Sequence, residues 1–231
     1  MTERGILRPV QSSFVEGLER PVGRIPGSVF GGLTNAELVL EFGPLYCAGS
    51  VLDVTYGRGT WWKLFHPEPF AFHDLALDGV DFRRLPEAAR SWDTVVFDPP
   101  YVPRQGTVPA TRIEDTEYRA RYGLDVSRTP RQMRALINAG LAECARVARR
   151  WVLVKCADYV NDRKFQLGHL AVIAEGERLG LIVHDLIIHA AGPGPGGGHI
   201  RRILRARRHH SYLVVFRKRR RRQSHTQEGA A

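Results

Sequence analysis

An apolar run, Thr94-Val95-Val96-Phe97, ends in Asp98-Pro99-Pro100-Tyr101. Two consecutive prolines fix the local backbone and push Asp98 into an extended conformation. Neither proline carries an N–H, so the carbonyl groups here are free to accept. The tetrapeptide therefore presents a carboxylate, a carbonyl and an aromatic face in one rigid unit at the end of a predicted strand. That set suits a planar base bearing an amino group. Asp98 and the Pro99 carbonyl accept from the amine, and Tyr101 stacks on the ring. About forty residues earlier stands Val51-Leu52-Asp53-Val54-Thr55-Tyr56-Gly57-Arg58-Gly59-Thr60. Here an apolar strand runs into Gly-x-Gly and then a predicted helix. Glycines at such a turn lack Cβ atoms, so a ligand can lie against the backbone.

These motifs need elements to hold them. The first fifty residues are interrupted by Pro9, Pro21, Gly23, Pro26, Gly27, Gly31 and Gly32 and read as irregular. A helix is expected from Thr34 or Asn35, a plausible N-cap, to Phe42, with Gly43-Pro44 as its stop. Strands are expected at 50–54, 69–75, 93–97, 151–155, 181–190 and 211–217. Helical spacing covers 130–150, with Leu136, Ile137, Leu141, Ala145 and Ala148 on one side, and 164–179, closed by Gly180. Strands alternating with helices predict an α/β fold, a mostly parallel sheet covered on both faces. The last two strands lack a crossover helix between them and should pair antiparallel. Polar residues 102–129, with five arginines and Tyr118 and Tyr122, form an insertion. It follows a strand end, where ligands bind in such sheets, and reads as a lid or substrate contact. Trp61-Trp62 should pack the first helix onto the sheet. Lys155 ends a strand and either faces the site or reaches water.

The chain has 231 residues, 43% of them hydrophobic, enough for one domain with extensions. Its net charge is +10. Eleven basic residues and no acid lie between Ile200 and Arg222, so the rest of the chain is close to neutral. A local positive field of this kind favours a polyanion, most often nucleic acid. No stretch reaches the roughly 18 apolar residues of a membrane span. No signal-peptide core follows Met1, and three scattered cysteines suit reduced thiols. A cytoplasmic protein is the expectation, nucleoid-associated if DNA is the substrate. None of Cys47, Cys144 and Cys156 forms a Cys-x-x-Cys pair, and no metal site is expected.

The two motifs together resemble the class I S-adenosyl-L-methionine-dependent amino-methyltransferases. Asp53-x-x-x-Gly57-x-Gly59-Thr60 is similar to that superfamily's cofactor loop. Asp98-Pro99-Pro100-Tyr101 is similar to the signature of N6-adenine and N4-cytosine DNA methyltransferases. The likeness runs from about Leu33 to Lys218. It implies a Rossmann-like fold, a seven-stranded mostly parallel sheet with an antiparallel last strand and helices on both faces. The domain would be 34–218, after an irregular extension 1–33 and before a basic tail 219–231. The resemblance implies S-adenosyl-L-methionine as cofactor, with Asp53, Thr55, Gly57 and Gly59 in its loop. It also implies an acid on the ribose hydroxyls, Asp74, with Asp78 as competitor. Asp81 would accept from the cofactor's adenine amine, and Phe82 would pack on that ring. The chain departs from the family in having Thr55 where an aromatic residue is usual. Tyr56 and Arg58 stand where the family has small ones.

Methylation of an exocyclic base amine follows as the expected reaction, with Asp98, Pro99, Pro100 and Tyr101 as its catalytic residues. DNA adenine N6 is the first choice. RNA methylation at adenine N6 or guanine N2 is the alternative, as is a catalytically idle nucleic-acid-binding protein. Cytosine C5 chemistry would need a nucleophilic cysteine, usually after proline, and none of the three follows one. Nucleic acid, DNA before RNA, should meet Arg201, Arg202, Arg205, Arg207 and Arg208 in the loop 191–210 and the run 217–222. The oligomeric state is open.

Overall fold

A computed structural model describes residues 26–32, 34–101, 129–190 and 208–219. The insertion after Tyr101, most of the basic loop, and the tail beyond Arg219 lie outside them.

Strand β1 (Val29–Phe30) precedes α1 (Asn35–Tyr46), which begins with a capping box. Thr34 Oγ1 accepts from the Glu37 N–H at 3.2 Å, and Glu37 Oε2 accepts from the Thr34 N–H at 3.0 Å. The helix passes Gly43-Pro44, where a stop was expected. Pro44 removes one helical donor, yet the Cys47 N–H closes the last turn on the Gly43 carbonyl at 2.7 Å. Tyr46 then anchors the end through its hydroxyl, which donates to Asp185 Oδ2 at 2.7 Å. Strand β2 (Val51–Asp53) leads into the glycine turn. The helix expected next is a single 3-10 turn, Thr60–Trp62, because Pro67 and Pro69 leave no room for a longer one.

Strands β3 (Phe70–Phe72) and β4 (Trp92–Phe97) follow, the latter running into Asp98. Helix α2 (Pro130–Val147) has Thr129 as its cap and Pro130 at its first turn. It gives way directly to β5 (Ala148–Cys156), so the last residues of the helical run 130–150 are strand. The predicted helix 164–179 is likewise divided. Strands β6 (Tyr159–Asn161) and β7 (Lys164–Gln166) form a hairpin, and only Gly168–Arg178 is helix, α3. Strands β8 (Leu181–His189) and β9 (Ser211–Lys218) complete the order.

The main sheet has seven strands in the order β1-β8-β9-β5-β4-β2-β3. All neighbours are parallel except β9, which is antiparallel to both β5 and β8. This is the Rossmann-like α/β arrangement expected, with one difference: the seventh strand is β1, from the segment read as irregular. It pairs with the edge strand β8, Val29 opposite Ile188. Helices α2 and α3 cover one face, where Leu141, Met133 and Val172 pack on Val95, Phe97 and Val154. Helix α1 and the two tryptophans cover the other, where Leu38, Phe42 and Trp62 pack on Val51, Val96 and Leu153. Among the described residues, no helix is long and apolar enough to cross a membrane.

Candidate active site

Parallel register brings three strand ends into one row. Asp53 lies opposite Val96, and Phe97 opposite Val154, so Asp98 and Lys155 follow one another's strands at the same level. Both motifs open at this carboxyl edge, where ligands bind in open α/β sheets.

Thr55 joins the motifs. Its N–H donates to Asp53 Oδ1 at 2.8 Å, and its hydroxyl accepts from the Asp98 N–H at 2.7 Å. The hydroxyl lies 3.4 Å from Asp53 Oδ1, to which it can donate. Thr55 thus ties the glycine turn to the Asp98 loop. Asp53 also accepts from Trp62 Nε1 at 2.7 Å. Burial pushes the Asp53 carboxyl up to about 7 against the hydrogen bonds from Trp62 and Thr55, which favour its ionised form.

The turn itself uses its glycines. Gly57 and Gly59 have φ of +58° and +64°, the left-handed region. A Cβ on Gly59 would stand 2.4 Å from the Tyr56 hydroxyl. Tyr56 stacks on Phe72 with centroids 3.9 Å apart. At Gly57 the space is open: a Cβ there would meet only the Thr55 carbonyl, at 3.9 Å. The Gly57 N–H donates to Asp74 Oδ2 at 2.9 Å, and Asp74 Oδ1 accepts from the Ala76 N–H at 2.9 Å. Asp74 is therefore the acid beside the turn. Asp78 is spent on His73 Nδ1 at 2.7 Å and on the backbone N–H groups of Asp74 and Val80. His73 also meets Glu87 Oε1 through Nε2, at 2.6 Å. Burial opposes the imidazolium, but the bonds and charges of Asp78 and Glu87 prevail and hold the His73 pKa above its ordinary value.

Asp81 and Phe82 are placed differently from one another. Asp81 takes the Arg83 Nε at 2.9 Å; burial raises its pKa, but the Arg83 bonds and charge bring it below the ordinary value. Phe82 was expected to pack on an adenine ring. It is only 5% exposed and sits in the core, edge-on to Phe97 at 5.1 Å and against Gly140. Helix α2 claims this ring because glycine at 140 lets it approach closely.

Around Asp98, the prolines are buried and the carboxylate is half-buried. Trp61 Nε1 donates to Asp98 Oδ2 at 2.9 Å, so the first tryptophan serves the site as well as the core. Beneath the same indole lies Lys155 Nζ, 5.7 Å from the ring centroid. Lys155 does not reach water; it is 2% exposed. Its ammonium donates to Asn35 Oδ1 at 2.6 Å and to His189 Nδ1 at 2.9 Å. His189 can accept there because its Nε2–H is spent on the Gly32 carbonyl at 2.8 Å. Burial lowers the Lys155 pKa to about 8, against the attraction of Asp98. The sequence marked Lys155 as a strand end facing the site or water and Asn35 as a possible helix cap; His189 carried no signal beyond its type.

Tyr101 lies on the other side of the prolines, half-buried against the α2 face. It lines a cleft with Met133, Ile137, Ala157, Tyr159 and Leu167. Among the described residues, no group of three or more His, Cys, Asp or Glu is placed to hold a metal ion.

No protein-family model and no curated protein matches the chain. Solved structures do. A candidate DNA modification methylase from Thermus thermophilus, in complex with S-adenosyl-L-methionine, is 17% identical with a TM-score of 0.39. The match covers 78% of this chain and 59% of that one, so the chain spans under two thirds of that protein's length. Magnesium protoporphyrin IX methyltransferase from Synechocystis PCC 6803, with bound SAH, is 11% identical over 80% of each chain, with a TM-score of 0.43. A methyltransferase candidate from Haloferax volcanii, in complex with its activator, is 13% identical, with a TM-score of 0.43. That match covers 78% of this chain and 86% of the other.

Of the expected nucleic-acid contacts, Arg201, Arg202, Arg205, Arg207 and Arg220–Arg222 lie outside the described residues. The rest divide. The antiparallel β9 starts beside Cys156, at the Asp98 edge, and ends beside Trp151, at the opposite edge. Arg208 is therefore on the site's side. Arg217 and Lys218 leave the sheet at the far end, where Lys218 Nζ caps the Ala145 carbonyl of α2. Among the described residues, Arg208 and the pair Arg217 and Lys218 do not form a single patch beside the site.

Proposed function

We propose that this protein is an S-adenosyl-L-methionine-dependent methyltransferase acting on the exocyclic amine of a nucleic-acid base, with DNA adenine N6 as its target. The observation that carries this reading is the Thr55 bridge. One hydroxyl holds the carboxylate of the glycine turn and the backbone of Asp98 at fixed separation, so a ligand on the turn and a base at Asp98 would adjoin.

The residues fit the cofactor. Open space over Gly57 admits it against the backbone, and Asp74 beside the turn has lone pairs left for two ribose hydroxyls. Asp81 is paired with Arg83, while Phe82 supplies core packing. Held there, S-adenosyl-L-methionine would supply an electrophilic methyl group.

The chain's own part is positioning. The target amine is a poor nucleophile because its lone pair is delocalised into the ring. Asp98 and the Pro99 carbonyl each accept one of its hydrogens and favour a pyramidal nitrogen, which directs the lone pair outward. Tyr101 stacks on the base, which in a duplex must first leave the helix. Trp61, donating to Asp98, fixes which carboxylate oxygen faces the substrate. Orientation and preorganised charge supply the rate, without a covalent intermediate.

The test is mass spectrometry of nucleosides after incubation with cofactor and DNA or RNA. N6-methyladenine in DNA is expected. N4-methylcytosine or a methylated RNA base would move the substrate while keeping the chemistry. No methylated base of any kind would remove the reading.

A further inference from the structure

The β6–β7 hairpin is an element that the sequence did not reveal, and it stands at the cleft. Its register pairs Tyr159 with Gln166, Val160 with Phe165 and Asn161 with Lys164. Tyr159 and Gln166 line the same cleft as Tyr101, and Lys164 continues their face outward. Arg134 of α2 reaches Gln166 Oε1 at 3.4 Å. The opposite face carries Phe165, with the Arg208 guanidinium 4.9 Å from its ring centroid. One guanidinium thus lies over an exposed aromatic ring of the ribbon, and other cations stand on the opposite face.

Three features say that this ribbon does more than close the fold. First, it is apolar where water is. Phe165, Leu167 and Leu170 are 44%, 45% and 48% exposed, three large hydrophobic residues within six positions. Second, the tip keeps side chains where glycine is favoured. Asp162 and Arg163 have φ of +45° and +58°, and a turn of this kind prefers Asn-Gly or Asp-Gly. An arginine held there keeps a charge at a backbone cost. Third, the base of the ribbon is fixed. Asp158 Oδ1 bonds His169 Nδ1 at 2.6 Å, and His169 stacks on Tyr212 at 4.2 Å. A Cβ on Gly168 would fall 2.1 Å from the Ala157 carbonyl, so the two chain ends pack backbone to backbone.

We infer that the β6–β7 hairpin grips the nucleic-acid strand beside the target base, with Arg163 and Lys164 on phosphates and Phe165, backed by Arg208, against a neighbouring base. This rests on the reading that the substrate is a nucleic acid. The charge of Arg163 and Lys164 is of the right sign for phosphate, and an exposed ring with a guanidinium over it is the chemistry of base stacking rather than of an apolar protein partner.

The experiment is a salt titration of binding between the full chain and a fluorescein-labelled adenine-containing DNA duplex, repeated with RNA of matched sequence. Arg163→Gly/Lys164→Gln removes two phosphate contacts and suits the tip's backbone, so folding should survive. It should lower the slope of log affinity against log salt by about 2. Phe165→Ala should weaken binding at least about fivefold with the slope unchanged. Both variants should bind S-adenosyl-L-methionine as the wild type does. Wild-type slope and affinity in both variants would overturn the hairpin's role and leave the proposed function standing. A wild-type protein that binds neither DNA nor RNA would overturn both. The same losses on RNA alone would keep the hairpin's role and change the substrate.

Discussion

The indole N–H of Trp61 donates to Oδ2 of Asp98 at 2.9 Å. The two residues come from different motifs, one from the turn after Gly59 and the other from the end of β4. The bond leaves the carboxylate one defined orientation. Trp61→Phe should keep the ring in the core while removing the donor. A hydrogen bond to a charged group contributes about 1.5–3 kcal/mol, so kcat should fall about tenfold or more with little change in cofactor affinity. Steady-state kinetics beside calorimetric cofactor binding checks this; an equal loss in both would assign Trp61 to packing alone.

Asp53 makes stability depend on pH. Its folded pKa is about 7, against 3.8 for the ordinary carboxyl. A raised value means that the folded chain holds the proton which the unfolded chain releases. The contribution is complete below about pH 4 and is lost as pH rises through about 7. Urea unfolding of the protein without cofactor should show this loss. Asp53→Asn should flatten the dependence, while costing about 1–3 kcal/mol because its amide keeps one acceptor oxygen where Trp62 Nε1 and the Thr55 N–H use two.

His73 acts on a neighbouring loop. Bridging Asp78 and Glu87, it ties the start of 73–87 to its end and so steadies Asp74 and Asp81. Its pKa is raised above 6.5, so the tie is fully present below that value and is lost as pH rises through the higher folded one. Asp78, whose pKa is lowered by His73 and two backbone donors despite partial burial, keeps its charge into acid. Hydrogen exchange of residues 74–87 should therefore quicken on the alkaline side in the wild type. In His73→Gln it should be fast throughout.

The residues of the candidate site were legible because their signals are local. Asp53, Gly57 and Gly59 need only a turn, and Asp98-Pro99-Pro100-Tyr101 needs only its own rigidity. What escaped depends on partners distant in sequence. Nothing near Lys155 tells that Asn35 and His189 will enclose its ammonium. The run 164–179 has helical apolar spacing throughout, and only pairing with Tyr159–Asn161 makes its first residues strand. Phe82 reads as a loop ring until Gly140 opens a place for it in the core. The basic residues were contiguous enough to suggest one patch, but the antiparallel β9 carries Arg217 and Lys218 to the edge opposite Arg208.

The central claim is that Asp98 positions the amine while the glycine turn holds the cofactor independently. Its most direct test is methyl transfer to DNA by Asp98→Ala, measured with labelled S-adenosyl-L-methionine alongside calorimetric binding of the same cofactor. The account predicts that transfer falls by at least about two orders of magnitude while cofactor affinity stays within about twofold of the wild type. Near-wild-type transfer in Asp98→Ala would contradict it.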